Sequence, residues 1–346
     1  VERRIMSRTL VTGGAGYIGS FIVRALSRKG YEPVVYDNME EGHRDAVTDA
    51  ELVHGDLADR DRIYQTLRHY GIDSVIHMAA YCLVGESERL PLKYFQNNMA
   101  NGLNLLGAMF HAGIKSLVFS SSAAVYGEPS SIPIDEEAPT HPTNVYGETK
   151  LYYERILERC ERAAYGLRYV ALRYFNAAGA DKNGTMGEDH HHETHLIPLV
   201  LKAALDQTET IEVFGTDYPT SDGTCIRDYV HVEDLANAHV LAMEAIEDGL
   251  KSATYNLGNG KGYSVMDVLD TAKRITGKQI SWVPANRRPG DPAILVASSD
   301  RIKVDLGWKI QRPELEQIVQ TAWAWHSSHP DGYGDRVSRR QNTQRD

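Results

Sequence analysis

The stretch Thr12-Gly13-Gly14-Ala15-Gly16-Tyr17-Ile18-Gly19 limits what this chain can fold into more than any other. Arg8-Thr9-Leu10-Val11 before it is short and β-prone, and Ser20-Phe21-Ile22-Val23-Arg24-Ala25-Leu26 after it carries helical spacing. Strand, glycine turn and helix in that order open a dinucleotide-binding unit. Glycine lets the backbone turn sharply and come close to a pyrophosphate. The helix N-terminus then offers unpaired N–H groups and a partial positive charge. Taken alone, Gly13-x-x-Gly16-x-x-Gly19 serves a tight turn without ligand equally well, so other residues must decide.

Three features decide it. Asp37 closes the next β-like run, Pro33-Val34-Val35-Tyr36, about 20 residues on, where a carboxylate holds the adenosine ribose hydroxyls. Asn38-Met39-Glu40-Glu41 follows without an arginine for a 2′-phosphate, which favours NAD over NADP. Tyr146-Gly147-Glu148-Thr149-Lys150 places a tyrosine and a lysine one helical turn apart. A phenol of ordinary pKa, about 10, is a poor base at neutral pH. A lysine on the same helix face lowers that pKa, and the tyrosinate then takes an alcohol proton as hydride leaves the carbon for NAD. Ser120-Ser121-Ser122 ends a strand expected over 115–122, where ligands of doubly wound sheets bind.

With 346 residues the chain suits one large or two intimate domains. The net charge of −10 argues against nucleic acid as the main partner. Cys82, Cys160 and Cys225 are sparse, far apart and without metal spacing, which fits a cytoplasmic protein better than a disulfide scaffold. No apolar run reaches membrane-spanning length, the start lacks a signal-peptide core, and Met6 is a candidate natural start.

Strand and helix alternate up to about residue 173, which predicts an α/β fold, a Rossmann-type doubly wound parallel sheet with a smaller, interleaved C-terminal substrate domain. The expected boundaries are 6–180 for the cofactor domain and 181–333 for the substrate domain, with 254–257 returning to the first sheet, and 334–346 a polar tail. Asp56, ending a strand over 51–57, is read both as an adenine partner and as a cap for a helix over 59–69. The strand over 74–80 ends in Ala79-Ala80, small enough for a cofactor to lie across. Helices are expected over 92–112, bearing Asn97, and over 234–246 and 265–276, with strands over 169–173, 211–214 and 280–283.

The glycine loop, Val84-Gly85-Glu86-Ser87, FSSSAAVYG at 119–127, the Tyr146/Lys150 pair, RYFNAAG at 173–179 and the stretches 214–231 and 287–292 together resemble the UDP-glucose 4-epimerase family of extended short-chain dehydrogenase/reductases. The resemblance runs from about residue 9 to 333. It implies an isomerase that interconverts UDP-galactose and UDP-glucose through a transient 4-keto sugar and tightly bound NAD. It implies Tyr146 as base and acid, Lys150 as pKa tuner and ribose anchor, and Ser122 as proton bridge. Gly13, Gly16, Tyr17, Ile18, Gly19, Asp37, Asn38, Asp56, Leu57, Ala79, Ala80, Asn97, Ser120 and Tyr174 would hold NAD together with Tyr146 and Lys150. Asn176, His195, Leu196, Phe214, Arg227, Arg288, Asp291 and Leu295 would hold the UDP-sugar beside Ser122 and Tyr146. It further implies a homodimer built on a bundle of the helices at 92–112 and 151–164.

Some residues depart from the family pattern. Cys82 stands where related enzymes place a lysine toward the pyrophosphate, Ala124 where threonine is frequent, His195 where asparagine is common, and Leu295 where a tyrosine often walls the sugar pocket. Leu295 makes activity on UDP-N-acetylhexosamines an expectation, against the plain reading of a core leucine. A nucleotide-sugar 4,6-dehydratase is the rival enzyme, but Ala123 and Ala124 replace the carboxylate pair it needs after the strand-end serine. A non-enzymatic nucleotide-sugar sensor is the other rival, and the Ser122, Tyr146 and Lys150 set argues against it. For Arg227 the plain alternative is an ion pair with Asp228 or Glu233. His190-His191-His192 and His195 read as a histidine-rich polar loop and no metal is expected; Trp323 and Trp325 read as packing residues.

Overall fold

The computed structural model describes residues 7–163, 165–288 and 290–335. The expectations for Met6, for Ala164 and for most of the polar tail lie outside them. The first half builds β1 (Arg8–Thr12), α1 (Tyr17–Arg28), β2 (Glu32–Asp37), β3 (Glu51–His54), α2 (Arg60–His69) and β4 (Ser74–His77). It continues with α3 (Val84–Arg89), α4 (Pro91–Tyr94), a π turn at Phe95–Ala100, α5 (Asn101–Ala112), β5 (Ser116–Ser122), α6 (Val145–Arg162) and β6 (Arg168–Tyr174). Leu10, Val11, Val34, Val35, Val75 and Ile76 are buried on both faces, as near-continuous apolar runs of a covered parallel sheet must be.

Seven strands run parallel in the order β10-β6-β5-β4-β1-β2-β3, where β10 is Ala253–Leu257. The segment expected to return to the first sheet therefore forms its edge, beside β6. The chain order reverses between β1 and β4, so a crevice opens at their carboxyl ends. One face is covered by α1 and by α8 (Val232–Glu247), through Phe21, Val23, Leu235 and Val240. The other is covered by α2, α5 and α6, through Ile63, Leu105, Met109, Tyr153 and Leu157.

The remaining elements gather over the carboxyl end of the sheet. β7 (Asn176–Ala178), β9 (Ile226–His231), β11 (Gly262–Ser264) and β13 (Ile294–Leu295) form a small mixed sheet, and β8 (Ile211–Phe214) pairs with β12 (Trp282–Ala285). α7 (Leu196–Ala204), α9 (Val265–Thr276) and α11 (Leu315–Ser328) pack around Val200, Val213, Leu269 and Ile318. α10 (Asp300–Leu306) lies near β10. α9 opens on a capping box in which Ser264 and Asp267 each accept the other's backbone N–H.

Two local expectations are corrected. The cap of α2 is Asp59, which accepts the Arg62 N–H at 2.9 Å, while Asp56 accepts Ala58 N–H at 2.7 Å and Asn38 Nδ2 at 2.9 Å. The strand expected over 280–283 lies two residues later, because Trp282 pairs with Ile211 and Ile280 is left to the core beneath. Among the described residues no helix is long and apolar enough to cross a membrane.

Candidate active site

The glycine loop is closed by its own packing. Gly13 has φ +69°, and a Cβ there would lie 2.6 Å from the Ala79 nitrogen; a Cβ on Gly19 would lie 2.1 Å from the Gly13 carbonyl oxygen. Gly16, the N-cap of α1, faces space: a Cβ there would touch only the Gly13 oxygen, at 3.4 Å. No side chain caps α1, and its first turn carries no acid. This uncapped N-terminus at the switch point fits a pyrophosphate. Ala79 and Ala80 are partly exposed at the end of β4, so the crevice floor is low. Asp37 is buried and accepts Ala15 N–H at 3.0 Å and Met39 N–H at 2.8 Å, so its carboxylate is held at the end of β2. Leu57 is buried beside the Asp56 turn, and its carbonyl accepts Asn104 Nδ2 at 3.0 Å. The Tyr17 hydroxyl donates to the Gly179 carbonyl at 2.6 Å, fastening the start of α1, with Ile18, to the loop after β7.

Ser122, Tyr146 and Lys150 meet at the carboxyl end of β5. Asn144 caps α6 by accepting Gly147 N–H at 2.8 Å, and Ser87 Oγ accepts the Tyr146 N–H at 3.1 Å. Glu88 accepts the Val145 N–H at 2.9 Å. The first turn of α6 is thus held by the segment after β4. Ser122 Oγ accepts Ala124 N–H at 3.1 Å and is the polar side chain that acts on the Tyr146 phenol. Lys150 Nζ donates to the Ser120 carbonyl at 2.7 Å and lies 5.8 Å from the centre of the Tyr146 ring. Ser120 Oγ and the Tyr174 hydroxyl are hydrogen-bonded across β5 and β6. Asn97 lies on the π turn and donates to Asn98 at 3.1 Å.

Burial, followed by Tyr174 and Cys82, pushes the Tyr146 phenol well above its usual value; Ser122 offsets only part. Burial also pulls Lys150 down to about 8, against a small upward pull from Cys82 and Glu154.

A second group of sequence-named residues lies on and around the small mixed sheet. Leu295 on β13 pairs with Arg227 on β9, and it packs against the cluster of Ala123, Val125 and Phe175. Arg227 is ion-paired with Asp291 rather than with Asp228 or Glu233, and it also donates to the Pro292 carbonyl at 2.8 Å. Asp228 instead accepts three backbone N–H groups, from Asn259, Gly260 and Ala297. The Arg288 guanidinium lies 4.1 Å over the Phe214 ring. Asn176 opens β7, opposite Tyr229, and Leu196 opens α7. His195 Nδ1 is turned to Glu188, at 2.9 Å, and Glu193, at 3.1 Å. The three-residue turn Ala123–Val125 after Ser122 offers no proton-transfer group, as a dehydratase would require.

Two supports were not read from the sequence. Asn98 donates to the Thr149 hydroxyl at 3.1 Å, locking the π turn against α6. Glu154, one turn beyond Lys150, is buried with Arg173, at 2.6 and 2.9 Å. Ser121 Oγ donates to Glu154, and Arg173 donates to the Tyr126 hydroxyl at 2.9 Å, which itself donates to Asn256 at 2.7 Å.

Comparison with known proteins agrees with this geometry. The model of the NAD dependent epimerase/dehydratase family matches residues 9–258. A UDP-glucose 4-epimerase of Halalkalibacterium halodurans is 52% identical over 94% of this chain and 97% of its own. The crystal structure of UDP-glucose 4-epimerase from Brucella ovis in complex with NAD superposes with a TM-score of 0.89, at 45% identity over 92% of this chain and 97% of that one. The enzyme from Bifidobacterium longum, in complex with NAD+ and UDP, gives a TM-score of 0.90 at 36% identity, covering 94% of this chain and all of that one.

Proposed function

This chain belongs to the NAD-dependent epimerase/dehydratase family, and from that premise we propose that Tyr146, Ser122 and Lys150 carry out its C4 chemistry on a UDP-hexose. The reaction is the interconversion of UDP-galactose and UDP-glucose, with NAD as cofactor. The observation that carries the assignment of roles is the gathering of Ser122 at the end of β5, the Tyr146 phenol on which it acts, and Lys150 Nζ 5.8 Å from the Tyr146 ring centre. NAD, when bound, would supply the hydride acceptor and donor for C4 and a positive charge that favours the tyrosinate. Tyr146 takes and returns the 4-hydroxyl proton, Ser122 bridges that proton, and Lys150, anchored on the Ser120 carbonyl, adds positive charge beside the ring. Gly13, Gly16, Asp37 and the N-terminus of α1 hold the cofactor.

The 4-keto sugar must turn over between the two hydride transfers, so the grip has to fall on UDP. Arg227 and Arg288 suit the diphosphate, being planar and permanently charged, and Asp291 suits ribose hydroxyls. Leu295, smaller than the tyrosine often found at its place, would admit a C2 N-acetyl group. With wild-type protein, product analysis should give UDP-glucose from UDP-galactose without net change in NADH, and slower conversion of UDP-N-acetylglucosamine. Leu295→Tyr should depress the N-acetyl activity about tenfold or more relative to the other. Absence of the first conversion sinks the whole reading; equal loss of both activities in the variant removes Leu295 from specificity.

We propose a homodimer formed by α5 and α6 of two copies. Leu103 and Tyr152 are exposed there, and Met99, Tyr152, Ile156 and Cys160 line an open, mainly apolar groove. Sedimentation should give a dimer, and Leu103→Glu should shift it toward monomer; a monomeric parent overturns the arrangement. The cytoplasm suits the free thiols of Cys82, Cys160 and Cys225, and recovery from a secreted fraction would contradict that placement.

A further inference from the structure

We propose that Glu188, His190, Glu193 and His195 bind one divalent transition-metal ion, zinc being the species that this donor set suits, outside the reacting centre. One donor atom from each of the four lies within 4.8 Å of all the others. His190 Nδ1 is 3.3 Å from both Glu188 Oε1 and Glu193 Oε2. His195 Nδ1 is 2.9 Å from Glu188 Oε1 and 3.1 Å from Glu193 Oε1. Two imidazole nitrogens and two carboxylates, converging from one short loop, make a four-coordinate nitrogen and oxygen set of the kind zinc takes.

Charge balance supports the assignment. Both glutamate side chains are only 4% exposed. Two buried carboxylates need two positive charges nearby. Two imidazoliums supply them, or one divalent ion does so with both imidazoles neutral. The loop is held from below before any ion arrives. Trp325 Nε1 donates to the Glu188 carbonyl at 3.0 Å, the Gly187 N–H donates to the Tyr333 hydroxyl at 3.2 Å, and His43 Nε2 meets the Asp189 carbonyl at 3.1 Å. Gly187 is required for that seat, since a Cβ there would lie 2.2 Å from the Trp325 ring. Preorganised ligands lose less freedom on binding.

The location gives the ion a purpose. His195 is the N-cap of α7, directly before Leu196. His190 meets the Tyr17 ring edge-on at 6.4 Å, and Tyr17 starts the helix that faces the cofactor crevice. An ion here would pin the segment between cofactor and substrate sites without joining the proton transfer.

The test uses tag-free protein stripped with a chelator and titrated with Zn²⁺ against a chromophoric indicator. We expect one ion per chain. His190→Ala and Glu193→Gln should each weaken binding about 100-fold or more. The double change His191→Ala/His192→Ala, at two exposed neighbours, should leave it intact. The Co²⁺-loaded parent should show the visible ligand-field band of a tetrahedral site, a reading that needs no variant. Less than one ion per chain, an affinity unmoved by His190→Ala, or a Co²⁺ spectrum of the aquo ion would each overturn the site and leave the two-imidazolium ion pair in its place.

Discussion

Tyr146→Phe should turn over UDP-galactose roughly 10²–10⁴-fold more slowly than the parent, through kcat rather than KM. The ring itself is placed by groups the substitution leaves alone. Ser87 still accepts the residue-146 N–H, Asn144 still caps the helix, and phenylalanine fills the same buried volume. What disappears is the hydroxyl on which Ser122 acts and that, in the proposed roles, exchanges the C4 proton. Melting temperature and the NAD released on denaturation should match the parent, which separates lost chemistry from lost fold. A kcat near the parental value would mean that another group moves the proton, and the assignment of Tyr146 would fail.

Arg173→Met should produce the largest loss of stability. The guanidinium makes a two-pronged contact with Glu154, and both side chains are less than one tenth exposed. Removing it strands a buried carboxylate, a change that costs about 3–5 kcal/mol. The pair sits in a polar chain that links β5 through Ser121, α6 through Glu154, β6 through Arg173 and β10 through Asn256. It therefore also sets how α6 lies on the strand that ends in Ser122. The double change Glu154→Leu/Arg173→Met should recover most of the loss in urea unfolding, since no lone charge remains. A double variant as unstable as the single would show that the polar partners Ser121 and Tyr126, not the charge, dominate the cost.

How much of this was legible depends on what each feature rests on. The glycine loop, β1, β2 and the Tyr146/Lys150 pair are local in sequence, and local spacing revealed them. The return of β10 was legible as well, because a β-prone run follows a helix of apolar periodicity. The surroundings of Tyr146 were not legible: spacing puts Lys150 one turn away, but only the packed structure shows that Lys150 donates to the Ser120 carbonyl and that burial raises the phenol. Asp56 ends its strand and so suits a cap as well as an adenine partner, while the geometry of the turn gives the cap to Asp59. Glu154 hid in a charged helix and Arg173 in an apolar strand, nineteen positions apart, with nothing to pair them until the sheet formed. The acid and histidine groups before α7 looked like an ordinary polar loop, because the anchors that gather them, Trp325 and Tyr333, come more than 130 residues later.

The seating of β10 and α8 has a consequence for the order in which the chain is made. β6 gains its outer neighbour, and α1 its covering helix, only from residues 232–257. At a synthesis rate of about 5–20 residues per second, β6 waits roughly 4–16 s for that neighbour. Throughout that interval the nascent sheet presents an open edge at β6 and an uncovered apolar face beside α1. The half that carries the glycine loop is thus complete in sequence long before its sheet has its last strand and its covering helix.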